Sequence, residues 1–140
     1  MRLLLAAILL APASAAADPP PNAFSRIREV IERNLGRPYV WGSSGLKSFD
    51  CSGFVYRVFE QSGLYMKRTT ARKYYFAMKP ASKVDESAFA TIVFFDNLKH
   101  MGIVNNGKSF FHAQSSKGTN LSEFEPYWRK LVCGYRKIQP

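Results

Sequence analysis

Histidine is almost missing from this chain, with 2 in 140 residues, and cysteine is as sparse, also with 2. Two cysteines allow one disulfide at most, or one working thiol beside a buried bystander, and spacing leaves both open. The cysteines and histidines show no metal-type spacing, which argues against a zinc site. Acidic side chains number 10 against 20 lysines and arginines, for a net charge of +10. That excess favours an anionic partner. The basic residues are scattered (Arg26, Arg28, Lys67, Arg68, Arg72, Lys73, Arg129, Lys130), and no run resembles a patch that tracks phosphates. After residue 17 no stretch is apolar enough to cross a bilayer. Internal repeats and low-complexity tracts are also absent, which excludes a stacked-repeat architecture.

The one long apolar run stands at the start. Arg2 precedes LLLAAILLAPASAAA, a charged n-region followed by an h-region and small residues. This pattern predicts a cleaved secretory signal over residues 1–17, with Ala13-Ser14-Ala15 and Ala15-Ala16-Ala17 both acceptable as recognition sites. Without a cysteine it offers no lipid attachment point. Removing Arg2 from the +10 chain leaves +9. An exported protein rarely meets nucleic acid, so the charge points to an anionic cell envelope, in the periplasm or outside the cell. The mature chain is expected to be a monomer with no integral membrane span.

Asp18-Pro19-Pro20-Pro21 reads as a stiff spacer, closing at residue 22, before a single domain over 23–140. Ile27, Val30, Ile31 and Leu35 fall on one face at helical spacing, which predicts a helix over 23–35 capped by Asn22 and ended by Gly36 and Pro38. Cys51, Phe54, Val55, Val58 and Phe59 repeat the pattern behind an Asp50 cap, with Gly63 as the stop. A short helix is predicted over 69–78. From residue 91 the pattern changes to strands at 92–95, 100–104, 108–113 and 131–138. Helices followed by an antiparallel sheet define an α+β class.

Both histidines flank Asn105-Asn106-Gly107. A two-residue loop, Asn106-Gly107, would pair Val104 with Ser109 and put His100 and His112 on opposite faces. A three-residue loop over 105–107 would pair Val104 with Lys108 and set His100 directly opposite His112, with Cβ atoms roughly 5 Å apart. The turn residues permit both. The small Gly102 favours the three-residue loop, because it leaves room beside His100.

A histidine pair suggests a base and its orienter, and Cys51 is the candidate nucleophile. It opens a predicted helix in FDCSGF, where N-terminal amides and the helix dipole would stabilise a thiolate. Its backbone N–H could serve an oxyanion hole, and Ser52 and Gly53 keep the helix start narrow for a carbonyl substrate. A cysteine at an apolar helical position is, taken alone, more often plain core; the two histidines downstream change that balance.

The sequence Y-V-W-G…F-D-C-S-G-F-V, then K-R-T-T, V-F-F…H-M-G-I-V-N-N-G-K…F-H-A and E-P-Y-W-R-K, over residues 37–138, resembles the NlpC family of cell-wall cysteine peptidases. The EPYWRK segment looks most like the small single-domain murein endopeptidases of Gram-negative bacteria. The resemblance implies a minimal papain-like fold, with the nucleophile helix packed on an antiparallel sheet. It implies Cys51 as nucleophile, His100 as base and His112 as the polar residue that orients it. It places Tyr39, twelve residues before the cysteine, in the site. The implied substrate is peptidoglycan, at the D-alanine–diaminopimelate crosslink or the D-glutamyl–diaminopimelate bond, with no cofactor and no metal. Ala90-Thr91 stand where the family has Gly-Asp, a departure that bears on the turn before the V-F-F strand and not on the catalytic set. Ser43 stands where a second glycine follows Tyr-x-Trp and Lys67 where a proline is common, positions that border the substrate groove in relatives and bear on which peptide fits.

The rival readings are distinct in chemistry. Cys51, His100 and His112 could ligate zinc. A Cys51–Cys133 disulfide would make a silent, stapled envelope-binding domain. The same thiol and histidines could act on another amide or ester, as an amidase or acyltransferase. Leu131, Cys133 and Tyr135 alternate onto one face, which predicts Cys133 packed in the last strand. Pro126-Tyr127-Trp128 reads as a packed aromatic corner, or as cleft lining.

Overall fold

The computed structural model describes residues 22–138. The expected signal peptide, residues 18–21 of the spacer, and residues 139 and 140 lie outside the described residues. Among the described residues, no helix is long and apolar enough to cross a membrane.

Helix α1, Ala23–Arg33, starts where the Asn22 side chain accepts the Ser25 N–H at 2.8 Å. Ile27, Val30 and Ile31 form its buried stripe. Helix α2, Cys51–Gln61, starts where Asp50 accepts the Gly53 N–H at 2.6 Å. The chain leaves it through Ser62 and Gly63, whose φ of 82° suits glycine. Helix α3, Ala71–Ala77, is capped by Thr70 and sits inside the predicted range.

Six strands follow: β1 (Lys79–Pro80), β2 (Ile92–Phe95), β3 (His100–Val104), β4 (Ser109–Gln114), β5 (Gly118–Glu123) and β6 (Val132–Lys137). They form one sheet in the order β1-β6-β2-β3-β4-β5, with every pairing antiparallel. The class is therefore the α+β arrangement read from the sequence, with three helices among the described residues packed against an antiparallel sheet.

The sheet is buried on both faces, which explains its adjacent phenylalanines. Phe94 and Phe111 join Ile92, Met101 and Ile103 in the core shared with α1, α2 and α3. Phe95 and Phe110 point the other way, onto Phe124, Trp128 and Leu131. The segment from β5 to β6 thus does for the second face what the helices do for the first.

Several expectations need correction. Strands β1 and β5 lie outside the predicted strands: β1 is only two residues long, and in β5 GTNLSE has little apolar content and its leucine, Leu121, is exposed. Its polar side chains are used for hydrogen bonds instead: Thr119 Oγ1 donates to the Asn34 carbonyl at 2.5 Å and accepts the Arg37 N–H at 2.8 Å. Cys133 is exposed rather than packed, and both cysteines are free thiols, so the stapled arrangement is not formed. Phe94 pairs with Gly134 and Phe95 with Val132, so Cys133 is the extra residue of a bulge and is turned out of the alternation.

The histidine hairpin has a third register, shifted by two residues from the favoured one. Ile103 pairs with Phe111 and Val104 with Phe110. The Asn105 N–H donates to the Ser109 carbonyl at 3.0 Å, leaving a three-residue loop of Asn106, Gly107 and Lys108. Asn106 is the first loop residue because its side chain accepts the N–H groups of Lys108 (2.8 Å) and Ser109 (3.1 Å). Parity is kept, so both histidines share a face. His112 lies opposite Gly102, and His100 is its diagonal neighbour. A Cβ on Gly102 would sit 2.7 Å from the Phe111 carbonyl oxygen and 3.2 Å from the His112 Cβ. The glycine makes room for the histidine pair itself.

Candidate active site

Cys51 is the first residue of α2, and α2 packs against β3 and β4. Its sulfur lies 3.8 Å from the Lys99 carbonyl oxygen and receives the Met101 N–H. The thiol therefore abuts the backbone immediately before and after His100. Across the sheet face, His100 Nε2 is 2.8 Å from His112 Nδ1. His112 is fully buried, while His100 is only partly so. That difference fits a base reached by substrate and an orienter held behind it.

Aromatic rings hold the pair. Trp128 stacks on His100 with centroids 5.2 Å apart and meets His112 edge-on at 5.0 Å. Phe95 and Phe110 close the other sides. Trp128 thus fills both roles considered for it, since it also lines a cavity of about 210 Å³. Tyr39, Asp96, Lys99, His100 and Tyr127 share that cavity. Tyr39 is held there by a short parallel bridge to Phe49, two residues before the thiol. Burial, then the nearby Cys51 and Asp50, raises its phenol pKa above the usual value.

Ser52 is placed differently. Its hydroxyl donates to Asp50 at 3.3 Å and accepts from Arg68 at 2.7 Å, so it belongs to the helix cap. Asp50 also accepts the Gly42 N–H at 2.9 Å and pairs with Arg68 at 3.0 Å. Arg68, part of K-R-T-T, fixes the start of α2. Ser52 contributes its backbone N–H, which with those of Cys51 and Met101 favours the thiolate.

The net effect on the thiol corrects an expectation. Burial first, and the Asp50 carboxylate second, raise the Cys51 pKa above its ordinary value. The capping anion opposes the helix dipole at the same end. Burial pushes His100 down to about 4, against a small opposing effect of Asp96. It pushes His112 down to about 3, helped by His100 and Lys117. At neutral pH the resting site is a thiol beside neutral imidazoles. Among the described residues, no group of three or more His, Cys, Asp or Glu side chains is clustered as metal ligands.

Two buried neutral histidines make stability depend on pH. Between about pH 6.5 and 4 an unfolded chain takes up protons that the native pair refuses, so stability is full above that window and falls as pH drops through it. The loss approaches about 1.4 kcal/mol per histidine per pH unit. Urea unfolding at pH 7 and pH 4.5 is expected to differ by a few kcal/mol, on the order of 2 per histidine. A flat profile across the window would show that protons reach both rings in the folded protein.

Comparison with known proteins adds relatives to this geometry. A family model described as NlpC/P60 family matches residues 36–137. The chain is 40% identical over 112 residues to a Listeria seeligeri protein named "Probable endopeptidase p60", with 76% of this chain and 21% of that protein covered. It is 37% identical over 121 residues to the Escherichia coli K12 protein named Murein DD-endopeptidase MepS/Murein LD-carboxypeptidase, with 81% of this chain and 62% of that protein covered. This chain thus spans about a fifth of the Listeria relative and under two thirds of the E. coli one. A solved Staphylococcus aureus structure, described as similar to lipoprotein, NLP/P60 family, superposes with a TM-score of 0.73 at 25% identity, over 93% of this chain and 45% of that one.

Proposed function

From the premise that this chain belongs to the NlpC/P60 family, we propose that it is a cysteine endopeptidase that hydrolyses peptidoglycan stem peptides. The observation that carries the reading is the thiol of Cys51 held against the backbone on both sides of His100, with His100 hydrogen-bonded to a buried His112. The name of the E. coli relative favours the D-alanine–diaminopimelate crosslink as the bond cut. The D-glutamyl–diaminopimelate bond is the second candidate within the same chemistry. The excess of basic residues suits an anionic wall polymer, and the apolar run at residues 3–17 supports export. The protein acts as a monomer and needs no metal or cofactor for this chemistry.

The reaction is acyl transfer to water. As the Cys51 sulfur attacks the scissile carbonyl carbon, His100 takes the thiol proton at Nδ1. The Cys51 backbone N–H and neighbouring donors stabilise the oxyanion. His100 returns the proton to the leaving amine, and water then cleaves the thioester with His100 again as base. His112 holds the ring of His100 throughout. Because the resting pair is neutral, the proton moves during attack rather than before it.

The test is a muropeptide profile of diaminopimelate-type sacculi, incubated under reducing conditions with wild-type protein or its Cys51→Ala variant. Crosslinked dimers are expected to fall and intact tetrapeptide monomers to rise with wild type alone. Disaccharide-dipeptides would move the cut to the D-glutamyl bond. Identical profiles for the two proteins would remove the peptidoglycan reading.

A further inference from the structure

His112 does not end the polar chain behind the base. Its Nε2 lies 2.7 Å from the Ser122 hydroxyl on β5. Ser122 in turn donates to Asn120 Oδ1 at 2.8 Å. The Asn120 amide nitrogen donates to the Gly118 carbonyl at 2.9 Å and to Gln114 Oε1 at 3.3 Å. A backbone carbonyl only accepts, so it fixes which end of the Asn120 amide faces Ser122. That end is the oxygen, which takes the single Ser122 proton. Ser122 Oγ is then left to accept, and His112 must carry its proton on Nε2. A neutral His112 with Nε2–H has a bare Nδ1, so His100 donates its own Nε2–H there. His100 is left with a bare Nδ1.

The opposite polarity is disfavoured by the same count. If His112 donated from Nδ1 to His100, the Ser122 hydroxyl would have to turn and donate to His112. Asn120 Oδ1 would lose its donor, and His100 would hold a proton on Nδ1 where a base is needed. Among the described residues, no buried side-chain nitrogen or oxygen lacks a partner in the observed arrangement. The chain's far end is also anchored. Gly118 has a φ of 70°, and a Cβ there would run into the Arg37 carbonyl, so its backbone is pressed against the segment that leads to Tyr39. The Thr119 N–H donates to that carbonyl at 2.9 Å.

We propose that Ser122 and Asn120 are positioning residues that set the tautomer of the His112–His100 pair, so that His100 presents an unprotonated Nδ1 to Cys51. This rests on the cysteine-hydrolase reading for its purpose, although the tautomers themselves do not. When His100 accepts the thiol proton, the resulting imidazolium keeps its Nε2–H on His112, and the rest of the chain stays as it is. No proton has to travel beyond His100.

The experiment pairs a structural readout with a kinetic one. Nitrogen-15 NMR at pH 7 is expected to find both histidines as Nε2–H tautomers in the wild-type protein. Ser122→Ala should give a mixture of tautomers, and Ser122→Thr should restore the wild-type spectrum. In parallel, the alkylation rate of Cys51 with iodoacetamide, followed by peptide mass spectrometry to separate it from Cys133, is measured from pH 4 to 9. Ser122→Ala is expected to slow it about 10-fold near neutrality and to change the pH profile, with Ser122→Thr within about 2-fold of wild type. Asn120→Ala, which leaves the Ser122–His112 contact in place, is the second variant should Ser122→Ala not fold; a smaller loss in the same direction is expected. Wild-type tautomers and an unchanged profile in the folded variants would overturn the proposal. Shifted tautomers in a protein that cuts no stem peptide would leave the positioning role standing and overturn the hydrolase reading.

Discussion

Replacing His100 with alanine is expected to lower kcat/KM for stem-peptide hydrolysis by about 10³-fold, with the fold retained. His100 opens β3 at the edge of the packed region and is only partly buried, so its removal leaves the strand pairings of Met101 to Val104 in place. On the proposed mechanism, what is lost is the proton acceptor for a thiol whose pKa is raised by burial and by Asp50. A site built around a preformed thiolate would tolerate the loss better, because the nucleophile would already be charged. His112→Ala should be milder, about 10-fold in activity, since it disorders the base without removing it. It should cost more stability than His100→Ala, since His112 is fully buried and leaves Ser122 without its donor. Stem-peptide kinetics and thermal unfolding on the same preparations check both halves. An active His100→Ala protein would remove the role assigned to His100.

Gly53→Ala should disable the protein through structure rather than chemistry. A Cβ on Gly53 would fall against the Ser43 carbonyl oxygen and within 2.9 Å of Asp50 Oδ1. Neither is the free end of a flexible side chain. The Ser43 carbonyl accepts the Asp50 N–H at 2.9 Å, and Asp50 caps α2 through the Gly53 N–H. The methyl group therefore pushes apart the loop and the cap that together place Cys51. Overpacking of this kind typically costs 1–3 kcal/mol or more, which for a domain of this size lowers Tm by roughly 10 °C. Differential scanning calorimetry reads the shift, and activity should fall with it. An unchanged Tm would show that the loop over 42–48 yields freely and is not what seats the helix.

These two variants also mark what was legible in the sequence. The start of α2 was legible because its signals are local: an aspartate at the cap, a cysteine next, and apolar residues at helical spacing behind them. The shared face of His100 and His112 was legible only through Gly102, since the turn residues alone permit loops of either parity. The register was not, because it depends on the Asn106 side chain accepting two backbone N–H groups, a choice that Asn105 could equally have made by sequence. Ser122 and Asn120 left no local signal. They lie on a strand whose residues were selected for hydrogen bonds across the sheet rather than for burial, and only pairing with β4 brings Ser122 to His112. The surroundings of the thiol were not legible for a related reason. The helix dipole was visible in the sequence, whereas the burial that outweighs it came from the tertiary packing.

The most direct test of the account is to quench a single turnover with acid and locate the acyl group. Wild-type protein is mixed in excess with a defined crosslinked stem-peptide dimer, stopped within one turnover, digested and read by mass spectrometry. The account predicts a thioester on the peptide that contains Cys51, its formation slowed in His100→Ala and abolished in Cys51→Ala. An acyl group on Cys133, or full turnover in Cys51→Ala, would contradict it.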